Sequence, residues 1–227
     1  MVGKNILLAG CLVGALVLSS FSASARESNR DGEWEGGFML LGSGSATFDG
    51  QGGSSVDVDT DVGWGFTFGY NLNSHIALGF EFTSTSPDYK ATAWQEPDDG
   101  SGIPEMIEVS HEMDLYQTQF NGIYNISDGR FTPYLQVGFG WSFIDSNVAD
   151  GPPQGYCWWD PWWGYICDGY QSTYDTTNFS YNAAAGIRFE INNSTYFKLS
   201  YQEVWVDLDN ASNASLPMYR LEVGSTF

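Results

Sequence analysis

The chain has 227 residues, a formal charge of −20 from 8 Lys and Arg against 28 Asp and Glu, and 16% aromatic residues. So acidic a chain excludes nucleic acid as a partner, since phosphate recognition needs clustered Lys and Arg. After residue 25 no apolar run reaches the length of a spanning helix, so a membrane passage would have to be built from strands.

The chain begins with Lys4, an apolar run from Ile6 to Leu18, and Ser22-Ala23-Ser24-Ala25 ahead of Arg26. A short apolar core followed by small residues predicts a secretory signal peptide over 1–25. A lipobox at Leu8-Ala9-Gly10-Cys11 fits less well, because the apolar run continues past Cys11. Cleavage leaves one domain of about 202 residues, 26–227, more acidic still because Lys4 is lost.

From there a two-residue rhythm takes over. The first strand is expected near Glu33–Gly42 with Phe38 and Leu40 outward, and the second near Val56–Tyr70, where Trp64, Phe66, Phe68 and Tyr70 alternate with Gly63, Gly65, Thr67 and Gly69. The third, near His75–Ser84, sets Ile76, Leu78, Phe80 and Phe82 against Ala77, Gly79 and Glu81. A fourth follows near His111–Asn125 and a fifth near Phe131–Phe143, with Pro133 at its start, where a missing N–H is tolerated. The sixth spans about Asn178–Glu190, the seventh Thr195–Val206, and the last ends at Phe227. Period-two alternation means strands with two unlike faces. Here one face is apolar and aromatic-rich and the other is glycine, amide or charge, as in a barrel with lipid outside and a polar interior. The fold class is therefore all-β, an eight-stranded antiparallel up-and-down transmembrane barrel.

The connections agree. Asn71–Ser74, Ile126–Arg130 and Asn192–Ser194 are short and rich in turn formers, and they alternate with long segments near 43–55, 85–106, 145–176 and 207–216. Short periplasmic turns and long outer loops are the anatomy of outer-membrane barrels, with both termini on the periplasmic side.

At this point the chain resembles the small eight-stranded barrels of Gram-negative outer membranes: the OmpA-type transmembrane domain, the opacity and Ail-like proteins and, more distantly, OmpW. The resemblance spans the mature chain and rests on the signal peptide, the alternating segments and the terminal aromatic. It implies integral residence in the outer membrane, with lipid and lipopolysaccharide as neighbours. It also implies that the assembly machinery reads the last strand through Tyr219, Leu221, Val223 and Phe227; Ser225 departs from the usual apolar choice. No second domain is expected after Phe227.

Eight strands enclose an interior that side chains can fill. Gln117, Gln119, Asn121, Tyr134, Gln136 and Asn182 fall on inward positions together with Glu81, Arg188, Lys198, Arg220 and Glu222. Unpaired interior charge is costly, so an ion-pair network is expected among these five, with Glu190 as a further partner. A polar plug and a gated ion path are both consistent with that set.

Cys157 and Cys167 are the two thiols left after the signal, which predicts a disulfide worth about 3 kcal/mol on the chain-entropy view. Between them lie Trp158, Trp159, Trp162, Trp163 and Tyr165, with Tyr156 and Tyr170 flanking. These rings either pack on one another as a small core, the default for a closed loop, or form an exposed recognition patch. Asp57, Asp59 and Asp61 alternate along the second strand near its outer mouth, where a divalent cation is conceivable but solvated acids are expected. The outer loops carry further acids, among them Asp88, Glu96, Asp98, Asp99, Glu105, Asp150, Asp160 and Asp168, against Lys90 alone.

No catalytic residues and no cofactor are expected. Ser110 and His111 are adjacent and therefore point to opposite faces, which defeats a ready nucleophile–base pair. The first functional reading is a structural or surface-interaction protein acting through acidic, disulfide-pinned loops, with an unidentified surface ligand. The second is a narrow porin-like channel for small solutes, and the third a lipid A-modifying enzyme.

Overall fold

The computed structural model describes residues 30–49, 54–95, 105–150, 152, 154–170, 172–207 and 214–227. The signal peptide, Cys11, and Glu96, Asp98 and Asp99 of the long loop lie outside them, as do the side chains of Glu105 and Tyr170.

The described residues form thirteen strands in chain order: β1 (Trp34–Ser43), β2 (Ala46–Asp49), β3 (Ser55–Val58), β4 (Asp61–Asn71), β5 (Ile76–Thr85), β6 (Asp88–Gln95), β7 (Glu105–Asn125), β8 (Phe131–Ala149), β9 (Gln154–Asp160), β10 (Gly164–Tyr170), β11 (Thr173–Glu190), β12 (Thr195–Val206) and β13 (Ala214–Thr226). Eight of them, β1, β4, β5, β7, β8, β11, β12 and β13, pair antiparallel with their neighbours, and the ring closes where β1 meets β13. At that seam the Trp34 amide donates to the Phe227 carbonyl at 3.0 Å and the Phe227 amide donates back at 2.9 Å, so the terminal aromatic residue is stitched to the first strand. Closure satisfies every sheet edge of the ring, which is what allows strands to cross lipid.

Two of the short turns use the same device. The Asn73 side-chain oxygen accepts from the His75 and Ile76 amides at 2.9 and 2.8 Å, and Asn192 repeats this with Ser194 and Thr195 at 2.8 and 2.9 Å. Asparagine here supplies the acceptor that the chain reversal would otherwise leave missing.

Alternation sorts the faces as expected. Phe38, Leu40, Phe66, Val137 and Leu199 are exposed on the outer wall, while Gln119, Asn121, Gln136 and Asn182 are buried in the lumen. The outer rings meet across strands, for example Phe66 with Phe82 at 5.1 Å and Tyr181 with Trp205 at 5.3 Å. Such cross-strand pairs add to sheet stability beyond burial.

The long connections depart from bare loops. β6 continues the line of β5 after Pro87 and pairs with the outer half of β7, β3 pairs with β6, and β2 with β3, forming a wing above one side of the barrel. The expected second strand is consequently broken, since Asp57 lies on β3 in the wing and Asp61 opens β4 in the barrel. The connection from β8 to β11 folds into the separate β9–β10 hairpin.

Candidate functional site: a plugged lumen and an aromatic hairpin

The lumen is filled in tiers. Nearest the short turns, Arg188 reaches Glu35 at 2.6 Å and Glu190 at 3.2 Å, and Lys198 reaches Glu35 at 2.8 Å and Glu222 at 3.3 Å. The Tyr196 hydroxyl donates to Glu222 at 2.8 Å, and its ring lies 4.1 Å beneath the Arg188 guanidinium. Arg30 enters from the same end, donates to the Ser127 carbonyl at 3.0 Å and sits 3.6 Å from Glu190.

A second tier is centred on Arg220, which contacts both oxygens of Glu81 at 2.7 Å and donates to Ser200 at 3.1 Å. Amides of Asn121 and Gln136 also reach Glu81, at 3.3 and 3.4 Å. Asn182 donates to Gln119 and Asn121 at 3.0 and 2.9 Å, and Gln119 donates to Ser180 at 2.8 Å. Between the two tiers lies a cavity of about 20 Å³, bordered by Glu35, Glu81, Asn121, Lys198 and Glu222. That is room for about one water molecule.

Among the described residues the buried charges balance: cations Arg30, Arg188, Lys198 and Arg220, carboxylates Glu35, Glu81, Glu190 and Glu222. Pairing of this kind makes charge tolerable where bulk water is excluded. Glu81, Arg188, Lys198, Arg220 and Glu222, singled out from the sequence, all lie in this network. Arg30 and Glu35 escaped sequence reasoning because both lie at or before the first strand's start, where alternation is too short to orient a side chain.

Toward the long loops the lumen changes character. Met39, Leu41, Leu115, Val204, Val206, Leu216 and Met218 pack into one buried apolar cluster, joined by Ala46 and Ile144. It has a sequence signal: in Phe38-Met39-Leu40-Leu41 and Val204-Trp205-Val206 both faces are apolar, so the rhythm breaks where the interior turns dry.

The β9–β10 hairpin is pinned by the Cys157–Cys167 disulfide, with a Cα–Cα distance of 4.0 Å. Its tip forms because Asp160 accepts from the Trp162 and Trp163 amides at 2.8 and 3.1 Å, and Gly164 takes φ of +79°, a left-handed conformation that suits glycine. The small core expected of this loop does not form. Trp159, Trp162 and Trp163 are 77%, 83% and 78% exposed and Tyr165 is exposed as well; Tyr156 and Trp158, which stack on each other, are the more covered. A two-stranded ribbon has no second layer to cover its rings.

The expected carboxylate row also disperses. Asp57 accepts from the Thr47 hydroxyl at 2.6 Å, while Asp61 accepts from the Ser86 amide at 2.7 Å. The described residues assemble no group of three or more His, Cys, Asp or Glu able to hold a metal ion. His111 is engaged by Asn147 at 3.1 Å, and His75 by Asp128 at 3.1 Å and the Asn125 carbonyl at 2.8 Å. Tyr219, Leu221 and Val223 face outward on β13, and Phe227 is exposed at its end.

Comparison with known proteins places this geometry. Neisserial surface protein A superimposes with a TM-score of 0.54 at 12% identity, over 87% of this chain and 98% of that one. The outer membrane protein OprG of Pseudomonas aeruginosa gives 0.50 at 14% identity, over 88% and 98%. These likenesses establish the fold. No curated protein matches the sequence. Residues 13–227 match the family described as outer membrane protein beta-barrel domain, and the chain belongs to that family.

Proposed function

We propose that this protein is a closed outer-membrane barrel that works through what it displays beyond its long-loop rim, and that it is not a conduit. In this reading the termini and short turns face the periplasm, and the acidic wing and disulfide-pinned hairpin face outward. The observation that carries it is the stacking of a dry apolar cap, with Leu41 and Met218 at 2% and 1% exposure, upon a charge-balanced polar plug. An ion path requires a continuous wet or coordinating route, and an apolar constriction closes one by excluding water.

The exposed hairpin supports the display half of the reading. Tryptophan and tyrosine dominate recognition hot spots, and a covalently pinned ribbon presents them with little ordering cost. Planar-bilayer recording on the purified full chain tests the closed half, with no unitary conductance expected. Steady channel openings at modest voltage would overturn it. Protease access to the β9–β10 segment on intact cells tests the orientation, and protection of that segment would reverse it.

A further inference from the structure

The two faces of the β9–β10 ribbon differ. In its register Tyr156 lies opposite Asp168, Trp158 opposite Ile166, and Trp159 opposite Tyr165. Period-two alternation therefore places Tyr156, Trp158, Ile166 and Asp168 on one face, and Trp159, Tyr165 and the disulfide on the other. On the first face the Tyr156 and Trp158 rings stack at 5.3 Å with planes 25° apart, and both keep solvent access, as does Asp168. A two-ring aromatic stack with its outer side open to solvent thus shares a face with the Asp168 carboxylate, one oxygen of which accepts from the Gly169 amide at 2.8 Å, on a frame that the disulfide holds.

The exposed charge at the long-loop end, from which the hairpin springs, is predominantly of one sign. Asp57, Asp88, Glu112, Asp145 and Asp175 are exposed at the long-loop end, and Lys90 is the only Lys or Arg there among the described residues. That potential repels anionic headgroups and acidic surfaces and draws in cations. Lysine and arginine both satisfy the charge, but only guanidinium is planar, stacks on an aromatic face and presents a fork matched to a carboxylate. We infer that the Tyr156–Trp158–Asp168 face docks an arginine side chain carried by a basic protein segment. The inference rests on the surface-display reading above and names the chemistry of its partner.

The test uses the full chain in nanodiscs, titrated with hexa-arginine, hexa-lysine and hexa-glutamate peptides, maltohexaose and phosphatidylcholine vesicles, and read by calorimetry and tryptophan fluorescence. Hexa-arginine is expected to bind with an affinity that falls as salt rises, severalfold more tightly than hexa-lysine. Trp158→Ala and Asp168→Asn should each weaken it about tenfold, a loss within the range of a stacked or charge-assisted contact. Trp158→Tyr should retain most of the affinity, and Trp162→Ala, at the turn, should change little. Equal affinity for the arginine and lysine peptides, untouched by either substitution, overturns the inference. So does Trp158-dependent binding of maltohexaose or vesicles in place of hexa-arginine, an outcome that leaves surface display standing. Channel conductance, by contrast, would fell the closed-barrel reading without moving the peptide titration.

Discussion

Arg220 on β13 places one guanidinium nitrogen 2.7 Å from each carboxylate oxygen of Glu81 on β5, a residue 139 positions away. Both side chains are about 5% exposed, and neither strand neighbours the other in the barrel. The pair therefore spans the lumen rather than running along one wall. Truncating Arg220 to Ala strands a buried carboxylate, and breaking such a pair costs about 3–5 kcal/mol. Arg220→Ala should lower the melting temperature in detergent and lose its heat-modified gel shift at lower temperature than the parent. Arg220→Met with Glu81→Gln removes both charges and should recover most of that loss. A single variant as stable as the parent would mean the pair contributes no net stability.

The polar plug and the apolar cap make separate barriers, which conductance can distinguish. Arg220→Ala loosens the polar plug but leaves the Met39–Leu41–Met218 cap dry, so it should stay silent in a planar bilayer. Leu41→Ser with Met218→Ser admits water to the cap but leaves the charged tier packed, and should also stay silent. The triple variant still holds the Arg188–Glu35–Lys198–Glu222 tier at the short-turn end, so it should conduct only once Arg188→Ala is added. Openings from Arg220→Ala alone would show that the apolar cluster does not seal the lumen.

The barrel was legible because lipid imposes a strict rule on every spanning residue. Outward positions such as Phe66 and Leu199 must be apolar, and inward ones such as Gln119 and Lys198 could be polar, so the rhythm marks both membrane and lumen. Beyond the rim that rule lapses. In β6 the described run Asp88-Tyr89-Lys90-Ala91-Thr92 has water within reach of both faces, so its residues carry no contrast to read. Its pairing with β7 and β3 is set by register between distant segments, which no local pattern encodes. The exposed indoles resist reading for a related reason. Apolar composition implies burial only where a second layer exists to bury against, and the ribbon of Trp158–Tyr165 has none.

The disulfide should stabilise the hairpin and not the barrel. Among the described residues β9 and β10 pair only with each other, so the Cys157–Cys167 bond closes a local loop separate from the ring of strands. Replacing both cysteines with Ser should remove up to about 3 kcal/mol of local stabilisation. Limited proteolysis at residues 154–170 should accelerate severalfold while the barrel melts at the same temperature. A fall of many degrees in barrel melting would place the hairpin in contact with the wall.

Glycine on the lumen face provides a last, purely steric prediction. Gly140 of β8 has an ordinary negative φ, so its need is not conformational freedom. A Cβ built there would drive into the Thr118 carbonyl oxygen of β7, with the Thr118 carbonyl carbon at 2.8 Å and the Gln119 Cα at 2.9 Å. Backbone cannot swing aside as a flexible side chain can, so strands β7 and β8 would have to separate at the point where Gln119 and Gly140 pair. Gly42 of β1 is the control, since a Cβ there meets nothing within 4 Å. Gly140→Ala should cost about 1–3 kcal/mol, as overpacking does, and slow refolding into micelles. Gly42→Ala should be neutral or stabilise by a few tenths of a kcal/mol, because alanine gives up less backbone entropy on folding. Equal melting temperatures for the two variants would mean that close approach of β7 and β8 at Gly140 is not needed for the barrel.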